Sequence, residues 1–205
     1  FKKNLTQPII HCFEPISECL DVIKKDFPND KELILNNVGV GGKKEELQFN
    51  INYKNSSSSF KKLIPDTTWI KRRAKARKID SDKFTIKNQT TKVITLDDYA
   101  SENNILNIDL LKIDTQGFED QVLLGATNLL KENRIKVIRL ELIFSEIYEN
   151  PLQIYDIEKI LIPYNYKLFS IQKSGSLISD YIFQTDLVYV SKDVYENVYL
   201  KSSFF

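Results

Sequence analysis

The sequence contains no methionine, one histidine, one tryptophan and only two cysteines among its 205 residues. Cys12 and Cys19 do not make the disulfide framework of a small secreted domain, so we expect a reducing, cytoplasmic location. No stretch approaches the ~18 apolar residues of a membrane span. The net charge of +1 gives the whole chain no electrostatic attraction to nucleic acid or to an anionic membrane. Because the chain begins at Phe1 without any methionine, we expect that an N-terminal portion precedes it in a longer chain.

The chain does contain the material for one globular domain over residues 1–205, with 42% hydrophobic and 28% charged residues. Its apolar patterns alternate between strand and helix periodicity, which predicts an α/β fold with a mostly parallel sheet and helices on both faces. The predicted strands are 8–15, 32–42, 110–114, 136–144, 166–171 and 185–190, and the predicted helices are 17–27, 118–130 and one that opens at Asn150-Pro151. The last strand is expected to be antiparallel and to close the sheet.

An insertion at about 45–92 interrupts this alternation and is predicted to hold a strand and a basic loop. Residues 46–53 alternate strictly, which is typical of a half-exposed antiparallel strand. The run WIKRRAKARK (69–78) is interpreted as a solvated loop. It is alternatively a lid over an anionic or sugar-bearing substrate, or a phosphate- or nucleic-acid-binding segment. KVITLDDYA (92–100) predicts a strand that leads into a short acidic turn or helix.

Polar side chains lie where several predicted strands end, which is where open α/β sheets bind ligands. They are Glu14, Asn37, Asp114 with Lys112 just before it, and Glu141. Each has a purely structural alternative, because Glu14 could be a solvated strand end and Asp114 a helix cap. Lys112 and Glu141 could likewise form a structural ion pair. Carboxylates that converge with a lysine on one edge are costly unless they are paired or bind something, so we predict a common pocket.

The single histidine is not predicted to be a general base. His11 lies three residues before the end of its strand, roughly 10 Å back, and on the face opposite Glu14. A packed strand residue is the favoured interpretation. Cys12 is a poor candidate for a nucleophile, because nothing near it in sequence would lower the pKa of its thiol.

Six segments resemble the FkbM family of S-adenosylmethionine-dependent methyltransferases in order and spacing. They are HCFEP, NVGVGG, SSSSF, VITLDDYA, LLKIDTQGFEDQVLLGA and IRLELIF, and the similarity extends from about Ile9 to Val190. The LLKIDTQGFE block is the most specific part, whereas the glycines alone would be a weak signal. The resemblance implies a class I, Rossmann-like methyltransferase sheet and S-adenosyl-L-methionine as cofactor. It also implies O-methylation of a hydroxyl on a sugar, a glycan or a polyketide-like small molecule.

For the cofactor, the resemblance implies that Glu14 holds the ribose hydroxyls and that Asn37 and Val38 lie near the adenine. One feature departs from the family pattern, because the first strand and its glycine-rich turn should precede HCFEP, where only FKKNLTQ stands. That strand is central in the class I sheet, and its loss would leave buried backbone groups unpaired. We therefore expect a fragment of a longer chain. The alternative is a degenerate domain that does not hold the cofactor.

For the reaction, the resemblance places Asp114 and Glu141 at the border of the methyl-transfer site. We predict that Asp114 is the base or orients the acceptor hydroxyl, with Lys112 and Glu141 positioning it. Ser58, Gln116 and Glu119 are the predicted acceptor-binding residues. A divalent cation could bridge the carboxylates of Asp114 and Glu141, but the spacing requires none and no metal ligand set is predicted.

Two other functions stay open from the sequence. A nicotinamide-dependent Rossmann-type enzyme would carry its glycine-rich motif upstream, although the LLKIDTQGFE block argues against it. A non-catalytic methyltransferase-like module could bind through residues 69–78. We expect a small-molecule or glycan acceptor and no nucleic-acid partner, and the sequence leaves the oligomeric state open.

Overall fold

A computed structural model describes residues 8–178 and 181–199, apart from the side chains of residues 173–178, 181 and 199. The segment FKKNLTQ and the C-terminal residues from Leu200 onward lie outside the described residues. The elements in chain order are β1 (Ile10–Phe13), α1 (Ser17–Asp26), β2 (Leu33–Asn36), β3 (Gly39–Val40), β4 (Glu45–Asn52), α2 (Thr68–Arg77), β5 (Thr85–Ile94), α3 (Leu96–Glu102), β6 (Ile108–Ile113), α4 (Glu119–Leu124), α5 (Thr127–Lys131), β7 (Ile135–Ile143), α6 (Ile154–Leu161), β8 (Lys167–Ile178), β9 (Tyr181–Val190) and α7 (Lys192–Tyr199).

The described strands form three small sheets, with the orders β1-β2, β3-β5-β4 and β6-β7-β9-β8. The prediction of an α/β fold is confirmed, but one mostly parallel sheet is wrong for this part of the chain, because β4 pairs antiparallel with β5 and β9 pairs antiparallel with both β7 and β8. β1 and β6, which were expected to flank a further strand, belong to separate sheets. The strand expected between them stays a prediction.

The N-terminal part is a strand–helix–strand unit, as predicted. β1 and β2 pair in parallel from Ile10 opposite Leu33 to Phe13 opposite Asn36, and α1 connects them. The parallel register brings the ends of both strands to one edge, where Asn36 Nδ2 donates to the carbonyl of Cys12 at 3.1 Å. The predicted strand 32–42 divides into β2 and β3, which pair with different neighbours.

The four-stranded sheet carries the main hydrophobic core. Ile138, Leu140 and Leu142 alternate along β7 and are at most 1% exposed, and Leu187 and Tyr189 of β9 are fully buried. Burial of one such aliphatic side chain contributes ~1.5–3 kcal/mol relative to leaving it in water. The predicted antiparallel closing strand is confirmed as β9, whose register with β7 sets Asp186 opposite Glu141.

The predicted helix 118–130 is two helices, α4 and α5, separated at Gly125 and Ala126. A Cβ atom at Gly125 would lie 2.0 Å from the carbonyl oxygen of Gly41, so this position accepts only glycine without displacement of the backbone. The backbone N–H of Asp97 also donates to the Gly125 carbonyl. The apolar periodicity across 118–130 therefore indicates the buried faces of both helices. The close backbone contact of Gly125 lies at the break between them.

Two predictions about helices are also wrong. Residues 69–78 are not a loop, because α2 occupies Thr68–Arg77. The Thr67 side chain caps this helix by accepting from the Ile70 N–H, and Ile70 is buried in a second apolar cluster. The helix predicted to open at Asn150-Pro151 begins instead at Ile154, behind a capping box of Gln153 and Asp156. Within the described part of the chain, no helix has the length and apolar character needed to cross a bilayer.

Candidate functional site

Two adjoining pockets lie where β1 and β6 end. The first pocket has a volume of ≈ 270 Å³ and the second ≈ 250 Å³. Ser56, Asp114 and Gln116 line both pockets, so these residues form the partition between them. Glu14 lines the first pocket and Glu141 the second. The common pocket predicted for Glu14, Asp114 and Glu141 is therefore divided into two adjoining pockets, and Asp114 is the acid that lines both.

The first pocket combines an apolar lining with one carboxylate. Glu14 follows β1, and one of its carboxylate oxygens accepts from the Ile16 N–H at 2.8 Å. The other oxygen has no hydrogen-bond partner among the described residues. Burial raises the pKa of Glu14, against the opposing effect of the Ile16 N–H. The apolar lining consists of Phe13, Pro15, Ile16, Val38, Val40, Phe49 and Phe60.

The other residues predicted to bind cofactor or acceptor on this side differ in placement. Val38 lines the first pocket, whereas Asn37 does not. The Asn37 amide donates to the carbonyls of Glu14 at 2.9 Å and Pro15 at 3.1 Å, so it fixes the backbone that carries Glu14. Ser58 lines the first pocket rather than the second, and its hydroxyl accepts from the Asn52 N–H. In place of the predicted ligand contacts, Asn37 therefore binds backbone carbonyls, and the Ser58 hydroxyl binds a backbone N–H.

The DTQGFE turn after β6 is organised by Glu119. This side chain is 1% exposed and lines neither pocket, in contrast to the acceptor contact predicted from the sequence. Its carboxylate accepts from the Thr115 N–H and hydroxyl at 3.0 Å and from the Gly117 N–H at 3.0 Å. Gln116 and Gly117 both have positive φ, at 58° and 97°. Burial raises the pKa of Glu119 to about 7, although the three donors favour the charged form.

The side-chain amide of Gln116 joins the two carboxylates of the second pocket. Its Nε2 donates to Asp114 Oδ1 at 3.0 Å and to Glu141 Oε2 at 3.1 Å, and its Oε1 accepts from the Tyr148 hydroxyl at 3.1 Å. Every polar atom of this amide is therefore satisfied, which fixes its orientation. Two like charges held this close would repel, and the shared donor reduces that cost.

Glu141 has the more perturbed environment of the two acids. Its second oxygen accepts from Gln184 Nε2 at 2.7 Å. Its pKa is raised, first by burial and then by the neighbouring charge of Asp114, while Gln116 and Lys112 oppose the rise. A carboxylate with a raised pKa is a stronger proton acceptor than an ordinary one.

Lys112 lies at the outer side of this cluster. Its ammonium pairs with Asp114 Oδ2 at 2.9 Å, and it lines neither pocket. The alternative in which Lys112 forms an ion pair with Glu141 is wrong, because the acid that pairs with Lys112 is Asp114. The two side chains are 48% and 42% exposed, so the strand β6 is open to solvent on this face. A cation on an otherwise apolar strand is explained by that exposure.

Several residues that line the second pocket were not predicted as site residues from the sequence. Tyr148 donates to the Ser57 carbonyl as well as to Gln116, and Gln184 comes from the distant strand β9. Trp69 and Arg73 project from one side of α2, with the Arg73 guanidinium carbon 5.2 Å from the centre of the Trp69 ring. The i,i+4 spacing of Trp69 and Arg73 was available in the sequence once residues 69–78 were assigned to a helix.

His11 packs against an aromatic ring, and an amide lies between the two acids that a cation would have to bridge. His11 Nδ1 lies 2.7 Å from the Tyr99 hydroxyl, with the two rings edge-on, so the packed interpretation fits its surroundings. Among the described residues there is no group of three or more histidine, cysteine or acidic side chains that could hold a metal ion. Between Asp114 and Glu141 the bridging position is taken by the Gln116 amide.

An α/β domain with carboxylates and adjoining pockets at its strand ends has the arrangement in which α/β sheets bind ligands. The model of the methyltransferase FkbM domain family matches residues 2–168. The chain therefore belongs to the FkbM methyltransferase family, which confirms the resemblance found in the sequence. No curated protein and no solved structure gives a significant match. The family supports a methyltransferase and gives no support to the nicotinamide-dependent alternative.

Proposed function

We propose that the protein is an S-adenosyl-L-methionine-dependent O-methyltransferase that acts, in the cytoplasm, on a hydroxyl of a sugar, a glycan or a polyketide-like small molecule. The observation that carries the proposal is the Gln116 amide, which holds Asp114 and Glu141 together at the partition of two pockets. A transferase needs two adjacent sites, one for the donor and one for the acceptor, with the reacting groups meeting at their border.

The first pocket fits the cofactor. The free oxygen of Glu14 is an acceptor suited to ribose hydroxyls, and the neighbouring aromatic and aliphatic side chains suit an adenine ring. Val38 lines this pocket. Asn37 does not line it, but its amide fixes the backbone of Glu14. When bound, S-adenosylmethionine supplies an electrophilic methyl group. The residues named here would hold its nucleoside part.

The second pocket fits the acceptor. Asp114 would take the proton of the acceptor hydroxyl at a carboxylate oxygen, which contributes ~10²–10⁴-fold to such reactions. Lys112 and Gln116 fix the Asp114 carboxylate from two directions, so its orientation does not have to be established during the reaction. Glu141 is held by the same Gln116 amide, and with its raised pKa it would be a second proton acceptor beside Asp114. Alignment by these groups is worth up to ~7–11 kcal/mol.

The proposal is tested with three variants of the full-length chain. Asp114→Asn is expected to reduce methyl transfer to a panel of hydroxyl acceptors at least ~10-fold, because general-base assistance of that size is lost. Its affinity for S-adenosylhomocysteine should stay within about twofold. Glu14→Gln is expected to weaken S-adenosylhomocysteine binding about tenfold or more, because a charge-assisted hydrogen bond is replaced by a neutral one.

Asp109→Asn is the matched control, since Asp109 is an exposed acid on β6 that pairs with Lys136 away from both pockets. It should leave cofactor binding and turnover unchanged. Failure of the wild-type chain to bind S-adenosylhomocysteine would refute the cofactor assignment, and unchanged turnover in Asp114→Asn would remove this residue from the mechanism. Tight cofactor binding without transfer to any hydroxyl acceptor would favour a non-catalytic methyltransferase-like module.

A further inference from the structure

The second pocket is lined by side chains of both charges. Asp114 and Glu141 are the acids of its lining, and Lys54 and Arg73 are the cations. The acids already have partners, because Lys112 pairs with Asp114 and both Gln116 and Gln184 donate to Glu141. The two cations have no carboxylate partner among the described residues. The pocket therefore contains unmatched positive charge beside satisfied negative charge.

Arg73 is positioned by an aromatic ring in place of an acid. Its guanidinium carbon lies 5.2 Å from the centre of the Trp69 ring, and Trp69 itself packs edge-on against Phe84 at 5.8 Å. Phe84 is 1% exposed, so the ring that supports Arg73 is anchored in the second apolar cluster. A stacked guanidinium keeps its N–H donors free for a ligand, which an ion-paired one does not.

Helix α2 turns one face to the protein and leaves most of its basic side chains in solvent. Arg72 and Arg73 are both exposed, but Arg73 lines the second pocket and Arg72 lines neither pocket. Lys71 pairs with Asp66 and also lines neither pocket. Position 73 is thus distinguished from these neighbours by its location at the second pocket.

We propose that the acceptor carries an anionic group, a carboxylate or a phosphate, which Arg73 and Lys54 bind while its hydroxyl faces Asp114. The inference rests on the proposed function, because it assigns the second pocket to the acceptor. It narrows the acceptor class from neutral hydroxyl compounds to acidic ones such as uronic acids or sugar phosphates. The guanidinium fork suits the paired oxygens of either group.

The test compares two probes that differ only at C6, which is a carboxylate in one and a neutral hydroxymethyl group in the other. Methyl β-D-glucuronide and methyl β-D-glucoside are titrated into the full-length protein at low salt by ligand-observed NMR, with glucose 6-phosphate as the phosphate arm. The uronide or the phosphate is expected to bind at least ~10-fold more tightly than the glucoside, as charge-assisted contacts predict, and the difference should shrink as salt is added.

Arg73→Gln should remove the preference for the anionic probe, and Arg73→Lys should retain part of it, because the charge stays while the planar fork is lost. Arg72→Gln is the matched control and should keep the preference. Equal binding of charged and neutral probes, no anion binding at low salt, or equal losses in Arg72→Gln and Arg73→Gln would each overturn the inference. Anion binding through Arg73 in a chain that does not bind S-adenosylhomocysteine would support the inference and count against the proposed function.

Discussion

The buried carboxyl group of Glu119 should make the stability of this domain depend on pH. Burial raises its pKa from 4.5 to about 7, so the folded chain holds this proton more tightly than the unfolded chain does. The contribution of Glu119 to folding stability is then fully present below pH 4.5 and is lost as the pH rises through about 7, which is the reverse of the usual behaviour of an ion-paired acid. The full difference corresponds to roughly 3 kcal/mol, of which about 2 kcal/mol should be lost between about pH 5.5 and 8.5.

The assay is urea unfolding of the wild type, Glu119→Gln and Glu146→Gln at several pH values across that interval. Glu119→Gln removes the titrating group, so its stability should change by about 2 kcal/mol less than the wild type over the same range. Its absolute stability should fall, because the new amide N–H₂ group is buried without an acceptor, at a cost of ~1–3 kcal/mol. Glu146 is exposed, and its replacement should leave the wild-type pH dependence unchanged.

Burial lowers the pKa of His11, but the contribution of this group to the pH dependence is common to all three proteins and cancels in the comparison. Parallel curves for wild type and Glu119→Gln would refute the reasoning. They would mean that the donors from Thr115 and Gly117 fully offset the burial of the charge.

Two further changes test packing and positioning. Gly125→Ala should destabilise the fold by ~1–3 kcal/mol or more in urea unfolding, because its Cβ would lie 2.0 Å from the Gly41 carbonyl oxygen. Gly42→Ala should cost less than ~0.5 kcal/mol, because its nearest neighbour is the flexible end of Gln121, and equal losses at the two positions would contradict the contact. Tyr148→Phe should cost ~1–3 kcal/mol by leaving Gln116 Oε1 without a donor, while the Ser57 carbonyl keeps the Asn52 amide as its partner. It should lower methyl transfer without changing S-adenosylhomocysteine affinity, since Gln116 loses the donor that fixes its amide. Unchanged transfer would show that the Gln116 amide is held well enough by its two carboxylates.

The sequence predicted which acids follow the strands, because the apolar runs end just before Glu14 and Asp114. Both acids line the first pocket, although β1 and β6 belong to separate sheets and are brought together by packing. The orientation of the side chains was not predictable in this way. Glu119 and Asn37 are polar residues beside the site, yet both turn to backbone groups, and only the local turn geometry decides that choice.

The sheet arrangement and the second pocket depend on long-range contacts that a local pattern does not contain. β4 and β5 satisfy strand periodicity equally well in any sheet, and the pairing of β5 with β3 on one side and β4 on the other is set by tertiary packing. The basic run 69–78 has little apolar periodicity, and its helix is stabilised by the buried side chains of Ile70 and Ala74. The pocket wall that includes Trp69 and Arg73 follows from that helix.

The turn 114–119 shows how structural and chemical demands are divided among adjacent residues. Glu119 uses its carboxylate to hold the backbone of Thr115 and Gly117, which forces Gln116 to positive φ. That backbone conformation accompanies an orientation in which the Gln116 side chain reaches both Asp114 and Glu141. An acid buried for structural reasons thereby acts, through the Gln116 amide, on Asp114, an exposed acid that lines both pockets. Loss of the buried acid should therefore disturb the exposed one, although the two carboxylates share no hydrogen bond.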